Sequence, residues 1–254
     1  FDSRSGRRLW SHECPPDWDG GPLPDFEQEM AVAGPPSISE GLVLVPCVRM
    51  EGRVKLHVAA YDLWSGRLVW QTQVVTGQRE LNMFNRHERE YSAPPVRIEG
   101  ERVLVATQLG TLAALDLFSG RILWQALYDQ IPLPGTHGYL TVERRRVWRN
   151  APPVVADGLV LCTPIDSEDL IGVELHSGRT RLSVSNDLLR PRNSGGRAVD
   201  LLLGADRERL WLGGHWLVGW RRPGGLASDT RLVPGQPVHR YEPEELLPGP
   251  STSE

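Results

Sequence analysis

Short apolar runs separated by turn-forming residues recur along this chain. Three apolar runs each begin within three residues of a glycine, at Leu42 to Val45, Val103 to Ala106 and Leu159 to Cys162. Runs of this length, bounded by Gly and Pro, are typical of β-strands. No stretch has the hydrophobic period of an amphipathic helix. The pattern therefore predicts an all-β chain.

A turn motif punctuates these runs at a nearly constant interval. It begins with Asp or Glu, continues through Ser-Gly-Arg, and ends in Trp or another apolar residue four positions after the glycine. Its copies run from Asp2 to Trp10, from Asp62 to Trp70, from Asp116 to Trp124 and, more weakly, from Glu174 to Leu182. The motif glycines are 60, 54 and 58 residues apart.

Each position of this motif has an expected structural role. The glycine supplies a positive φ, and the carboxylate accepts hydrogen bonds from the turn backbone. The tryptophan packs between adjacent units, because its large ring buries much area at little rotamer cost. The structural repeat residues are therefore predicted to be Asp62, Gly66, Trp70, Asp116, Gly120, Trp124, Glu174 and Gly178.

A second motif, which serves as another landmark, recurs with nearly the same period as the turn motif. Pro-Pro pairs at 35–36, 94–95 and 152–153 each precede, by five residues, one of the glycines Gly41, Gly100 and Gly158. Two landmarks with one period establish an internal repeat. Each copy is interpreted as four short antiparallel strands, a unit that forms a β-propeller when it is repeated radially. The first full copy has five extra residues, placed around 46–57.

The landmarks divide the chain into blades. Full repeats are predicted at about 34–76, 93–128 and 151–186, with partial copies at 1–13 and 198–222. This gives about three full blades plus partial blades at both ends, within residues 1–241. Residues 242–254 are rich in Pro, Glu and Ser, which predicts a disordered tail or linker. Because Phe1 falls inside a copy, we expect a piece of a longer propeller.

The combination of Ala-Leu-Asp116-x-x-Ser-Gly120-x-x-x-Trp124 with the preceding Ala-Pro-Pro resembles the repeat of PQQ-type, or quinoprotein-like, β-propellers. This resemblance implies the fold much more strongly than the function. The superfamily contains quinoprotein alcohol dehydrogenases and also non-catalytic bacterial envelope proteins of the BamB type. A periplasmic or cell-envelope location follows by the same resemblance.

Composition excludes several functional classes. The net charge of −4 and the pI near 6.0 disfavour a nucleic-acid partner. No apolar run is long enough for a transmembrane helix. The three cysteines have no CxxC spacing, and the seven histidines include no HExxH motif, so the sequence predicts no metal site.

An enzymatic reading rests on the resemblance alone. A quinoprotein dehydrogenase implies a calcium ion held by Glu, Asn and Asp, an Asp base, and often a vicinal cysteine pair. This sequence has no Cys-Cys pair, and Asp62, Asp116 and Glu174 occupy turn positions. We therefore predict no catalytic residue and no cofactor for this chain. PQQ and calcium enter only under the alternative, a fragment of a PQQ-dependent dehydrogenase.

Two long linkers carry the remaining candidate chemistry. Residues 76–92 and 128–150 join successive blades, and loops on a rigid scaffold are common binding sites. Arg and aromatic residues are enriched at interface hot spots. The candidate partner-binding residues are Met83, Phe84, Arg86, Arg89, Tyr91, Arg145 and Trp148. The alternative is that Met83 and Phe84 pack under their loop while its arginines pair with Glu88 and Glu90. Arg145 and Trp148 belong to the arginine-rich run 144–149, which could bind phosphate or an acidic partner. The alternative for this run is a solvated loop with internal salt bridges. The predicted function is a non-catalytic scaffold that binds a protein or other ligand through these face loops.

Overall fold

The computed structural model describes residues 4–11, 30–50, 53–78, 92–132, 147–189, 199–214, 217–221, 226 and 238–241. Within these ranges the chain forms seventeen strands and one four-residue helix. The all-β prediction is therefore confirmed. The strands are arranged in separate antiparallel sheets that follow one another along the chain.

The first sheet is built on a long hairpin. Its strands are β1 (Met30–Val32), β2 (Ser37–Ser39), β3 (Leu42–Met50), β4 (Val54–Asp62) and β5 (Leu68–Gly77). β3 and β4 pair at nine positions, and β1 and β2 both pair with β3, one after the other along its edge. The five extra residues predicted around 46–57 lengthen this hairpin, and β1 covers the added part of β3.

The second sheet has one strand at each expected position. Its strands are β6 (Arg97–Glu99), β7 (Arg102–Ala106), β8 (Thr111–Asp116) and β9 (Ile122–Leu127), paired in chain order. β8 is buried at its first five positions, whereas the outer strand β9 alternates between buried and exposed residues near its end. This contrast is expected for a sheet covered on both faces in its middle and open at its edge.

The third and fourth sheets repeat this order. The third contains β10 (Val154–Ala156), β11 (Leu159–Cys162), β12 (Asp169–Glu174) and β13 (Thr180–Ser185), followed by α1 (Asn186–Leu189). The fourth contains β14 (Val199–Ala205), β15 (Arg209–Gly214), β16 (Leu217–Arg221) and β17 (Val238–Tyr241). The copy predicted as partial over 198–222 thus has four strands, because β17 pairs with β16 beyond the predicted boundary.

Contacts divide the chain into two compact units. One comprises residues 1–127 and 132–144, and the other comprises residues 128–131 and 145–254. The first unit has a core shared by its two sheets, in which Leu44, Val58, Val105 and Leu115 are buried. The second has its own core, which includes Leu161 and Leu212. Each unit therefore buries an apolar interior between two sheets.

Candidate functional site

The turn between β4 and β5 is held together by hydrogen bonds among its own residues. One Asp62 carboxylate oxygen accepts hydrogen bonds from the Ser65 amide at 2.7 Å and the Ser65 hydroxyl at 2.6 Å. The Gly66 amide donates to the Asp62 carbonyl at 2.9 Å, and Gly66 has a φ of +72°. The turn therefore requires both the carboxylate and the glycine.

The same geometry returns in the next two copies. Asp116 accepts from the amide and hydroxyl of Ser119 at 2.8 and 2.6 Å, and Gly120 has a φ of +69°. Glu174 accepts from the Ser177 hydroxyl at 2.5 Å and is paired with Arg181 at 2.9 Å. These three carboxylates therefore take part in building the turns, as the repeat pattern predicts.

These hydrogen bonds lower the pKa of each turn carboxyl. For Asp116 the main cause is the Ser119 hydroxyl, which favours the ionised form and holds the pKa below the ordinary 3.8. The Ser65 and Ser177 hydroxyls are likewise the main causes for Asp62 and Glu174. In a fourth turn, the Glu208 amide is the main cause that lowers the pKa of Asp206.

Asp116→Asn should weaken the acid sensitivity of the fold. A carboxyl whose pKa is lowered on folding stabilises the protein above its unfolded pKa and loses that contribution as the pH falls through its folded pKa. The urea midpoint of the wild-type protein should therefore fall between about pH 5 and about pH 3, and the midpoint of Asp116→Asn should fall less. If the urea midpoint depends on pH equally in the two proteins, Asp116 is not an ionised, hydrogen-bonded group in the folded state.

The motif tryptophans connect one copy to the next. The Trp70 indole N–H donates to the Leu117 carbonyl at 2.9 Å, and its ring covers Gly120. Trp10 has the same relation to the following copy, donating to the Leu63 carbonyl at 2.7 Å while its ring covers the turn glycine there. The ring needs the bare glycine surface, so the Trp and Gly positions of successive copies work as a pair. Trp124, in the third copy, is also buried.

In the second unit, a buried polar cluster lies at the end of β12 opposite to the Glu174 turn. Asp166, 2% exposed in the loop between β11 and β12, accepts hydrogen bonds from the Tyr128 hydroxyl at 2.8 Å and the Gln130 amide at 2.7 Å. The Ile131 amide donates to the Asp166 carbonyl at 2.8 Å. This cluster ties the start of the 128–150 linker to the sheet. These residues belong to no repeated motif, so the sequence pattern did not predict the cluster.

Cys162, at the end of β11, lies close to the same cluster. Burial, and then the charge of Asp166, raise the pKa of its thiol well above the ordinary 9.0. The thiol is therefore held protonated at neutral pH and is a poor nucleophile and metal ligand. Its role is that of an apolar core side chain.

Trp148, one of the candidate binding residues, is part of the second unit's core. It is 3% exposed, and its indole N–H donates to the Glu168 carbonyl at 3.2 Å. The arginines around it in the sequence suggested a surface position, but the ring packs inward. Trp148 thus holds the end of the linker against the loop between β11 and β12, and we do not retain it as a contact residue.

The other candidate binding residues lie outside the described residues. They are Met83, Phe84, Arg86, Arg89, Tyr91 and Arg145. The described parts of both linkers are their ends, at 76–78, 92, 128–132 and 147–150. The structure therefore shows how the loops are attached, and their use in binding stays a prediction.

The dehydrogenase alternative implies a calcium ion, which several oxygen ligands would hold. Among the residues that the structure describes, no three His, Cys, Asp or Glu side chains are grouped so that they could hold a metal ion. Their repeat carboxylates already accept hydrogen bonds in the turns. Among the same residues, no helix has the length and apolarity needed to cross a membrane.

Comparisons with solved structures returned matches at low identity and with TM-scores below 0.5. BamB from Moraxella catarrhalis is 18% identical, with a TM-score of 0.49 over 78% of this chain and 52% of that one. A quinohemoprotein alcohol dehydrogenase from Pseudomonas putida is 15% identical, with a TM-score of 0.44 over 75% of this chain and 29% of that one. For the corresponding enzyme from Comamonas testosteroni the values are 15%, 0.42, 76% and 33%. This chain thus spans about half the length of the BamB structure.

A comparison with family models is more informative. A search of curated proteins found no match. In contrast, the family model described as outer membrane protein assembly factor BamB matches residues 1–184, which is more than half of the chain. The match includes all four copies of the turn motif. Together with the four-stranded antiparallel sheets, it confirms the PQQ-type repeat and the β-propeller fold class: the chain belongs to the family described as outer membrane protein assembly factor BamB.

Proposed function

We propose that this chain is a non-catalytic β-propeller scaffold that binds a protein partner through the loops at one edge of its sheets. The observation that carries the proposal is the attachment of the 128–150 linker to the sheet at both of its described ends. Tyr128 and Gln130 bind Asp166 at one end, and Trp148 binds the Glu168 carbonyl at the other. These hydrogen bonds join the two described ends of the linker to the sheet, and loops attached to a stable scaffold are common binding sites.

The position of the linkers supports the same proposal. In the second unit, the turn after β12 contacts the turn after β10, since the Leu175 amide donates to the Gly158 carbonyl at 2.9 Å. The loop containing Asp166 is at the other ends of these strands. One edge is therefore occupied by the structural turns, and the other carries the long connections.

The residues proposed to contact the partner are Met83, Phe84, Arg86, Arg89, Tyr91 and Arg145. This mixture of aromatic, thioether and guanidinium groups is enriched at protein interfaces. The family description names an outer membrane assembly factor. We therefore place the chain in the bacterial cell envelope and infer that its partner is another protein of that compartment.

A pull-down from a bacterial envelope fraction tests the loop assignment. The full chain and the variant Phe84→Ala/Arg86→Ala/Arg89→Ala would be compared by quantitative mass spectrometry. Replacing hot-spot residues costs enough to reduce retention of at least one protein by about tenfold. Arg97→Ala/Leu203→Ala is the control, since both side chains are exposed on strands outside the linkers. If every protein is retained equally by the wild type and the loop variant, the loops are not the binding site.

A further inference from the structure

The position two residues after the turn carboxylate is exposed in every copy that the structure describes. It holds Arg4, Trp64, Phe118 and His176. Trp64 is 71% exposed and Phe118 is 52% exposed. The turn itself is built by the carboxylate, the serine and the glycine, so the turn geometry does not require an aromatic residue here. Two large apolar rings in water at equivalent sites of neighbouring copies are candidates for a binding role.

An exposed arginine accompanies each ring. Arg67 and Arg121 directly follow the turn glycines and are exposed. The carboxylates of Asp62 and Asp116 are engaged by Ser65 and Ser119. Each arginine interacts electrostatically with its own turn carboxylate, but neither is in an ion pair within the described part of the chain. Both guanidinium groups thus keep donors for an external carboxylate.

The two turns are neighbours on one edge of the first unit. Trp70, which follows the first turn, donates to the Leu117 carbonyl inside the second turn and covers Gly120. The sheets that carry them share one core. Packed sheets are about 10 Å apart, and an extended chain advances about 3.3 Å per residue. An extended segment of about three residues or more therefore reaches from one turn to the next.

We propose that Trp64, Arg67, Phe118 and Arg121 form a docking edge for an extended segment of a partner protein in which carboxylates alternate with apolar side chains. The guanidinium groups take the carboxylates in bidentate fashion, and the rings cover the apolar side chains. Tryptophan and arginine are the residue types that most often dominate interface energetics. This edge is at the opposite ends of the strands from the long linkers, so the inference goes beyond the proposed function.

Neighbouring acidic residues favour a peptide over an anionic membrane surface. The Leu63 amide donates to the Gly41 carbonyl, and the Leu117 amide donates to the Glu101 carbonyl. The exposed side chains of Glu40 and Glu101 therefore stand beside the docking edge. A uniformly anionic surface would meet repulsion from them, whereas a peptide can place its carboxylates at the arginines alone.

Fluorescence anisotropy on the full chain tests this assignment. The probe is a fluorescein-labelled synthetic peptide in which Asp and Leu alternate, and matched peptides carry Lys for Asp or Ala for Leu. The Asp-Leu peptide should bind, and added salt should weaken it. Trp64→Ala/Phe118→Ala and Arg67→Ala/Arg121→Ala should each weaken binding at least about tenfold. Leu127→Ala and Arg53→Ala, exposed residues at the ends of β9 and β4 opposite to the two turns, should leave it unchanged.

Several results would overturn the proposal. These are no binding of the Asp-Leu peptide at millimolar concentration, equal affinity for the Lys-Leu peptide, or equal binding by the wild type and both edge variants. Binding of phosphatidylglycerol vesicles in place of the peptide, lost in the same variants, would assign the edge to lipid instead. Unchanged thermal unfolding in the variants shows that they are folded. The variant Phe84→Ala/Arg86→Ala/Arg89→Ala should keep peptide binding, which separates this edge from the linker loops.

Discussion

Gly120→Ala should destabilise the first unit by about 2–5 kcal/mol. Gly120 has a φ of +69°, and a left-handed conformation costs a residue with a Cβ about 1–2 kcal/mol. An added Cβ would also lie 2.6 Å from Cδ2 of Trp70 and 2.9 Å from Oγ1 of Thr72. Overpacking of this kind costs a further amount of about 1–3 kcal/mol. Urea unfolding followed by tryptophan fluorescence measures the change.

Gly100→Ala separates the conformational cost of a positive φ from the cost of overpacking. Gly100 is in the same sheet with a φ of +57°, but nothing is within 4 Å of the position of an added Cβ. It should cost only the conformational part, about 1–2 kcal/mol. Equal losses in the two variants would mean that the Trp70 ring does not require a bare glycine at 120.

Trp70→Ala should destabilise the same unit by about 3–5 kcal/mol, the usual range for a buried Trp truncated to Ala. Trp70 is 8% exposed, and its removal leaves a cavity above Gly120 and an unpaired Leu117 carbonyl. Trp70→Phe should cost less, because it keeps an aromatic ring and loses the indole hydrogen bond. The midpoint of urea unfolding provides the comparison.

Trp64→Ala is the matched control for this prediction. Trp64 is the same residue type in the same turn region, but its ring is mostly in water. Its truncation should change the free energy of unfolding by less than about 0.5 kcal/mol. If Trp64→Ala and Trp70→Ala cost the same, the assignment of the buried and exposed tryptophans is wrong.

The repeat pattern predicted the blades because the interactions that build them are local. The carboxylate, serine and glycine of each turn are within four residues of one another, and a positive φ strongly selects glycine. The Trp position was recognisable because it recurs at a constant offset from that glycine. The fold class and the structural turns could therefore be inferred from sequence alone.

The parts that escaped prediction depend on contacts between distant, irregular segments. Tyr128 and Asp166 are 38 residues apart, and neither belongs to a repeated motif. Trp148 was placed on the surface because arginines surround it in sequence, although its ring enters the core. β17 is a four-residue strand that follows β16 after a long connection, so the repeat period did not predict it.

In our interpretation, the repeat residues of this chain build a scaffold, and its binding surfaces carry its function. The most direct test is titration of the full chain with PQQ and Ca²⁺, followed by the fluorescence of its nine tryptophans and corrected for absorption by the quinone. We expect no saturable change at micromolar PQQ with or without calcium. Saturable, calcium-dependent quenching would contradict the scaffold account and support the dehydrogenase fragment.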